Sequence, residues 1–326
     1  MSELREASFH SVVTAIHEHE RFLVATHVRP DGDAIGSLLA LTFMLRKLGK
    51  TADPFCQDPV PPGQKFLPGS EMVQHGDARL HYYDAAVLVD CGEFMRVGPK
   101  LAESVRRIPF LMSIDHHVGN TPFGDVCWVE PSASSTCEML YDLSLQLPVP
   151  LDQDIASQLY TGLLTDTGSF RFSNTNRRVL EIATCLVSAG AQPAFIAQQV
   201  YDSTTPGRLH LLARVLSTVA FDANNRLATG ELTRRMFVET DTSVSDTEGF
   251  IDHLRSVKSV EMAVMFREEA DGVVHISMRS KGSVDVAAFA HRYEGGGHRH
   301  AAACRLTGSL KEVRAKFTHE ALSYLS

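Results

Sequence analysis

A histidine, a proline and two aspartates fall within seven residues as His27-x-x-Pro30-Asp31-x-Asp33. Further along stand Val89-Asp90, the triplet Asp115-His116-His117 and Thr165-Asp166-Thr167-Gly168. Carboxylates and imidazoles without thiolate suit an octahedral divalent ion such as Mn2+ better than a structural zinc site. Two ions about 3.5 to 4 Å apart make the clamp used for in-line hydrolysis of phosphate esters, and one carboxylate must bridge them. Asp90, alone at the end of a central strand, is the natural bridge. Each piece alone has an ordinary structural reading: Asp33 as the cap of a helix opening at Ala34, Asp90 as a solvated strand end, His116-His117 as surface, Asp166 as a turn residue. Together they favour cations, because so many carboxylates at the strand ends of one sheet are costly without them.

The elements that must position these residues can be read from hydrophobic patterning. Apolar positions recur at helical spacing over 4–19, then 22–26 is a short buried strand ending at His27. A helix over 34–48 closes at Gly49, and a further strand leads into a Pro/Gly-rich loop over 59–69. The apolar runs 85–89 and 109–114 end at Asp90 and Asp115. Such runs without alternation, separated by helices, indicate a mostly parallel sheet covered on both faces, with ligands at the carboxyl ends of its strands. Ser135 and Glu138 form a capping box for a helix carrying 139–145, and helices over 152–164 and 178–189 follow, the first ending near Asp166. Cys91 should face the core beside Asp90. Trp128, Phe170 and Phe172 could stack a base, although packing is the commoner role.

Residues 192–220 read as a helical connector. Beyond it, 226–233, 261–267 and 273–279 alternate at period two, as antiparallel strands with one wet face do. The chain therefore divides into an α/β domain over 1–190, a helical linker over 191–220 and a smaller α+β domain over 221–326, with the active site expected in the cleft between the domains. The second domain carries Gly295-Gly296-Gly297-His298, a strand over 302–306 and a closing helix over 310–325. Three glycines let backbone amides approach an anion, and Arg279, Lys281 and His298 add positive charge; the alternative is a tight turn beside an arginine on a solvated strand face.

With 326 residues, 44 % hydrophobic and 21 % charged, the chain is globular. Its net charge of −8 argues against a broad basic face for long duplex nucleic acid. Six cysteines without paired spacing point to reduced thiols and a cytoplasmic setting, and neither a signal peptide nor a membrane-spanning run is expected. Fifteen histidines stand against a single tryptophan. Those at 10, 17, 19, 75 and 81 are expected on the surface or in packing.

The four N-terminal motifs resemble those of the DHH phosphoesterase superfamily. The segment Met278-Arg279-Ser280-Lys281-Gly282 and the Gly295–His298 run with Ala301-Ala302 resemble its DHH-associated domain. Within the superfamily the chain is most similar to the small cytoplasmic nanoRNases that also remove the 3′-phosphate of 3′-phosphoadenosine 5′-phosphate. The resemblance implies two divalent ions, Mn2+ or alternatively Mg2+ or Co2+. His27, Asp31 and Asp90 would hold one; Asp33, Asp90, His116 and Asp166 would hold the other. A bridging hydroxide would attack in line, His117 would meet the substrate phosphate, and Asp115 would orient an imidazole. Arg279, Ser280, Lys281, Gly295, Gly296, Gly297 and His298 would grip phosphate, with Arg171 within reach of substrate. Two departures from the pattern are Ala303, where a glycine is usual, and Glu294 before the glycines.

Neighbouring activities share parts of this pattern. They are hydrolysis of cyclic or linear dinucleotides such as c-di-AMP, pApA or pGpG, single-strand exonuclease action of the RecJ type, and pyrophosphate hydrolysis. Shortness and acidity disfavour the exonuclease, and the glycine-histidine segment disfavours pyrophosphate. A nucleotide sensor that only binds would need a broken motif, and none is visible.

Overall fold

The computed structural model describes residues 3–76, 82–117, 119, 122–202 and 204–325; the side chains of residues 3–7 and of His298 lie outside that description. The chain divides into two compact units, residues 1–203 and 204–326. The first comprises α1 (Glu3–Glu18), β1 (Arg21–Ala25), α2 (Gly32–Lys47), β2 (Thr51–Phe55), β3 (Ala85–Val89), α3 (Pro99–Val105), β4 (Leu111–Asp115), β5 (Val126–Val129), α4 (Thr136–Ser144), α5 (Gln153–Asp166), α6 (Arg177–Ser188) and α7 (Pro193–Tyr201). Its strands form one sheet in the order β2-β1-β3-β4-β5, every pair parallel.

The uninterrupted apolar runs of β1 and β3 follow from burial on both faces. Phe22, Val24, Ala85, Val87 and Val89 enter a core shared with α2, α4, α5 and α6. Their alternates Leu23, Ala25, Ala86 and Leu88 enter a second core closed by Leu101, Ala102 and Val105 of α3. Cys91 is buried in that second core, and Trp128 lies in the first, edge-on to Phe9. Strand order reverses direction between β1 and β3, so the loops after them leave the sheet on either side of a crevice.

Helix α2 begins two residues earlier than its apolar periodicity suggests. Asp31, not Asp33, is its N-cap, accepting the Asp33 and Ala34 amides at 3.1 and 3.0 Å. The α4 capping box is also displaced: Ser135 Oγ accepts the Glu138 amide at 3.1 Å, but the Glu138 carboxylate reaches the Ser134 amide at 2.7 Å.

The second unit comprises α8 (Pro206–Ser217), β6 (Ala220–Asp222), β7 (Leu227–Leu232), α9 (Arg234–Thr240), α10 (Phe250–Ser256), β8 (Met262–Glu268), β9 (Val273–Ser280), α11 (Val286–His291), β10 (Gly296–His298), β11 (Ala301–Thr307) and α12 (Leu310–Leu325). Its sheet runs β10-β11-β9-β8-β7-β6. The all-antiparallel expectation needs correcting, because β7 and β8 pair in parallel, with α9 and α10 in the connection. The single wet face fails for these two strands for the same reason. One side packs on Phe289 and Phe317, and the other on Leu211, Phe250 and Leu254. Among the described residues, only β9 alternates strictly between buried and partly exposed positions. The glycine segment forms an edge strand, Gly296–His298 pairing antiparallel with Ala301–Ala303.

Candidate metal centre

Asp90 follows β3 directly and takes a left-handed backbone conformation (φ 59°), which aspartate tolerates better than most residues. The residue is 2 % exposed, and its two carboxylate oxygens serve different neighbours. Oδ2 lies 3.4 Å from His27 Nε2. Oδ1 lies 3.5 Å from His116 Nε2 and 3.6 Å from His117 Nδ1, and accepts the Thr136 hydroxyl at 3.1 Å.

The other carboxylates converge on the same place. Asp33 is completely buried and accepts the amides of Thr136 at 2.7 Å and Cys137 at 2.9 Å, the opening residues of α4. A helix N-terminus is a favourable seat for a negative charge. Asp166, the last residue of α5, approaches His116 Nε2 to 3.1 Å, and Asp33 Oδ2 is 3.9 Å from the same nitrogen. His27 Nδ1 sits 2.9 Å from the Val28 carbonyl, a hydrogen bond that leaves Nε2 free to face Asp90 as a ligand. His117 Nδ1 is 2.8 Å from Asp115 Oδ1.

Three sets of side chains therefore place ligand atoms close enough to hold an ion: His27, Asp31 and Asp90; Asp33, His116 and Asp166; and Asp90, His116 and His117. The donor chemistry fits a divalent cation. Among the described residues, the ion-pair partners of Asp33, Asp90 and Asp166 are all histidines, with no lysine or arginine among them. Burial and the neighbouring carboxylates push the Asp90 carboxyl well above its ordinary range. Burial, partly offset by His116, also raises Asp33. Asp166 is raised to about 7 by burial and then by the charge of Asp33. For His116, burial works against protonation, but the hydrogen bond to Asp166 and the charges of Asp33 and Asp90 prevail and raise it to about 10.

These shifts fix a sign. The folded Asp166 carboxyl holds a proton that the unfolded chain releases above its ordinary 3.8, so its contribution to stability declines as pH rises from there through about 7. His116 contributes fully below its ordinary 6.5 and loses that contribution as pH rises through about 10. Metal-free protein should thus lose several degrees of melting temperature between pH 5.5 and 9 in a chelator. Saturating Mn2+ should flatten the curve and release protons on binding. A chelated protein that grows more stable over that range would contradict this charge arrangement.

Of the remaining candidates, Arg171 is exposed, its Nε held by the Gly168 carbonyl at 2.7 Å. In the second unit, Arg279 is half-buried on β9, and its Nη1 donates to the carbonyl of Met278 at 3.1 Å. Burial lowers its pKa against the charge of Asp252, which is itself ion-paired with Arg255, and among the described residues no carboxylate forms an ion pair with Arg279. Ser280 points inward, its hydroxyl bonded to the Val284 carbonyl at 2.8 Å and to His300 Nδ1 at 2.9 Å. Lys281 Nζ caps the Val257 carbonyl at 2.8 Å. Gly295 and Gly297 are required by packing, since a Cβ on either would lie 2.4 Å and 2.3 Å from the carbonyls of Ala303 and Ala301; a Cβ on Gly296 would meet only the His291 ring, at an ordinary contact distance of 3.8 Å. Ala303 is paired with Gly296, and Glu294 takes a left-handed conformation (φ 55°) after α11. His298 belongs to β10 by its backbone, but its side chain lies outside the described residues.

Sequence reasoning missed Thr136 and Cys137, whose amides anchor Asp33. A polar run, Ser134-Ser135-Thr136, opening a helix was the available signal, but it reads equally as capping alone. His19 and His75 lie in packing and at the surface respectively, as expected: half-buried His19 stacks on Phe110, and exposed His75 bonds the Cys56 carbonyl. His81 lies outside the described residues.

A parallel α/β unit with a buried aspartate-histidine cluster at its strand ends, followed by a mixed-sheet unit, defines a phosphoester hydrolase of the DHH family, and the chain belongs to that family. The DHH family N-terminal domain matches residues 21–163 and the DHHA1 domain residues 228–326. The chain is 37 % identical over 285 residues to the bifunctional oligoribonuclease and PAP phosphatase NrnA of Thermus thermophilus, covering 87 % of this chain and 84 % of that protein. It is 28 % identical to the Bacillus subtilis protein of the same name, covering 88 % and 90 %. Among solved structures, an exopolyphosphatase-related protein from Bacteroides fragilis superposes with a TM-score of 0.90 at 27 % identity, covering 98 % of this chain and 96 % of that one. Among the described residues no single helix is long and apolar enough to cross a membrane.

Proposed function

We propose that this chain hydrolyses very short oligoribonucleotides and 3′-phosphoadenosine 5′-phosphate in a Mn2+-dependent reaction in the cytoplasm. The observation that carries the reading is the divided carboxylate of Asp90, one oxygen toward His27 and the other toward His116 and His117. The names of the relatives from Thermus thermophilus and Bacillus subtilis support the choice of substrate.

His27, Asp31 and Asp90 would hold one ion, and Asp33, Asp90, His116 and Asp166 the other. Bound divalent ions supply a more acidic water and neutralise phosphate charge. The chain's own part is to fix the ligands and to handle the leaving group. With Nδ1 held by Asp115, the His117 ring has a set orientation, and Nε2 is the atom that donates to a phosphate oxygen or to the departing oxygen. Residues 1–190 would carry this chemistry, 191–220 would connect, and 221–326 would bind substrate. There Arg279, half-buried and, among the described residues, in no ion pair, its nearby Asp252 being paired with Arg255, is the strongest candidate for a phosphate contact, assisted by the Gly295–Gly297 backbone and His298. Ser280 and Lys281 would support that segment through the backbone carbonyls they bind, and Arg171 would meet substrate beside Asp166.

Purified protein with Mn2+ should release mononucleotides from RNA dinucleotides and phosphate from 3′-phosphoadenosine 5′-phosphate. Faster turnover of c-di-AMP, pApA or pGpG would replace this reading with a dinucleotide phosphodiesterase, and inactivity on all of them would overturn both.

A further inference from the structure

We infer that Thr136 is a positioning residue that sets the rotation of the Asp90 carboxylate through its hydroxyl. The inference rests on the proposed reading that these carboxylates hold divalent ions. Thr136 is completely buried at the first position of α4, and it contacts two acidic residues from different elements, Asp33 in the first turn of α2 and Asp90 after β3. Its amide donates to Asp33 Oδ2 at 2.7 Å, and its Oγ1 donates to Asp90 Oδ1 at 3.1 Å.

The helix itself does not need that hydroxyl. Ser135 is the N-cap and satisfies the Glu138 amide, so the Thr136 side chain is free to act outward. A carboxylate shared by two groups of ligands must keep one oxygen toward each, and rotation about its Cβ–Cγ bond would misplace both. A hydrogen bond to Oδ1 resists that rotation and leaves Oδ2 facing His27. Groups that hold metal ligands in orientation typically change affinity by about 10- to 100-fold when removed.

The test compares T136V, which keeps the branched shape and the backbone amide but loses the hydroxyl, with T136S, which keeps the hydroxyl and loses the methyl. Mn2+ binding to the full chain is measured by calorimetry, with circular dichroism to confirm the fold. T136V should bind Mn2+ about 10- to 100-fold more weakly, and T136S should restore affinity to near that of the parent. Unchanged binding by T136V, or T136S as weak as T136V, would overturn the assignment. If T136V fails to fold, T136A is measured against T136S by the same criteria. D90N separates the two levels: if it binds Mn2+ like the parent, the metal reading falls and this inference with it. If D90N binds weakly while T136V binds normally, only the role of Thr136 falls.

Discussion

Asp90→Asn should lower Mn2+-supported hydrolysis by about 10³-fold, or about 4 kcal/mol of barrier, while leaving the metal-free protein at least as stable as its parent. The two effects have one cause. The carboxylate is buried among Asp31, Asp33 and Asp166, which makes its charge costly to keep without a counter-ion. Asparagine removes the charge, retains the shape and tolerates the left-handed backbone at this position. The variant should therefore melt no earlier than the parent in chelator, yet fail to gain the parent's stabilisation from Mn2+. Rates on an RNA dinucleotide and melting curves with and without Mn2+ check both parts. Near-parent activity in D90N would remove Asp90 from the site.

Gly162→Ala should cost about 1–3 kcal/mol of stability and at least about 10²-fold in activity. Gly162 lies in α5 where that helix crosses α2, and a methyl group there would stand 2.3 Å from Cys137 Sγ and 2.4 Å from Asp33 Oδ1. Neither neighbour can retreat easily: Asp33 is fixed by the α4 amides, and Cys137 is one of the residues fixing it. Gly36 on the facing helix is equally confined, its added methyl falling 2.5 Å from the Gln158 carbonyl. Gly49→Ala is the useful contrast, because an added methyl meets no neighbour and only the left-handed backbone (φ 82°) opposes it. Gly49→Ala should thus lose stability without losing activity per folded molecule. Equal specific activity in Gly162→Ala would show that Asp33 is not held as described.

The parallel sheet was legible because β1, β3 and β4 are buried on both faces, which leaves an unbroken apolar signature ending each time in a polar residue. The same logic failed in the second unit. Alternation there implied one wet face, whereas α8, from before the sheet, and α10, from the crossover between β7 and β8, cover the supposed wet side. His27, Asp90, His116 and Asp166 announced themselves by type and by place at element ends. Thr136 and Cys137 did not, because they act partly through backbone amides, and an amide carries no mark of residue type. The exchange of roles between Asp31 and Asp33 was hidden for a related reason. Either could cap α2, and only the arrival of α4 from 103 residues away decides which one does.

That last contact has a consequence for how the molecule assembles. No short stretch of chain contains the cluster: α2 brings Asp33, the end of β3 brings Asp90, the end of β4 brings His116, and α5 must dock before Asp166 arrives. Contacts so distant along the chain carry a large loop-closure cost and form late. Mutual repulsion among the carboxylates therefore burdens the final docking of α5, not the early growth of the sheet. Displacement of that one helix would carry Asp166 away from His116, with Asp33, Asp90 and His116 still held by α2 and the strand ends.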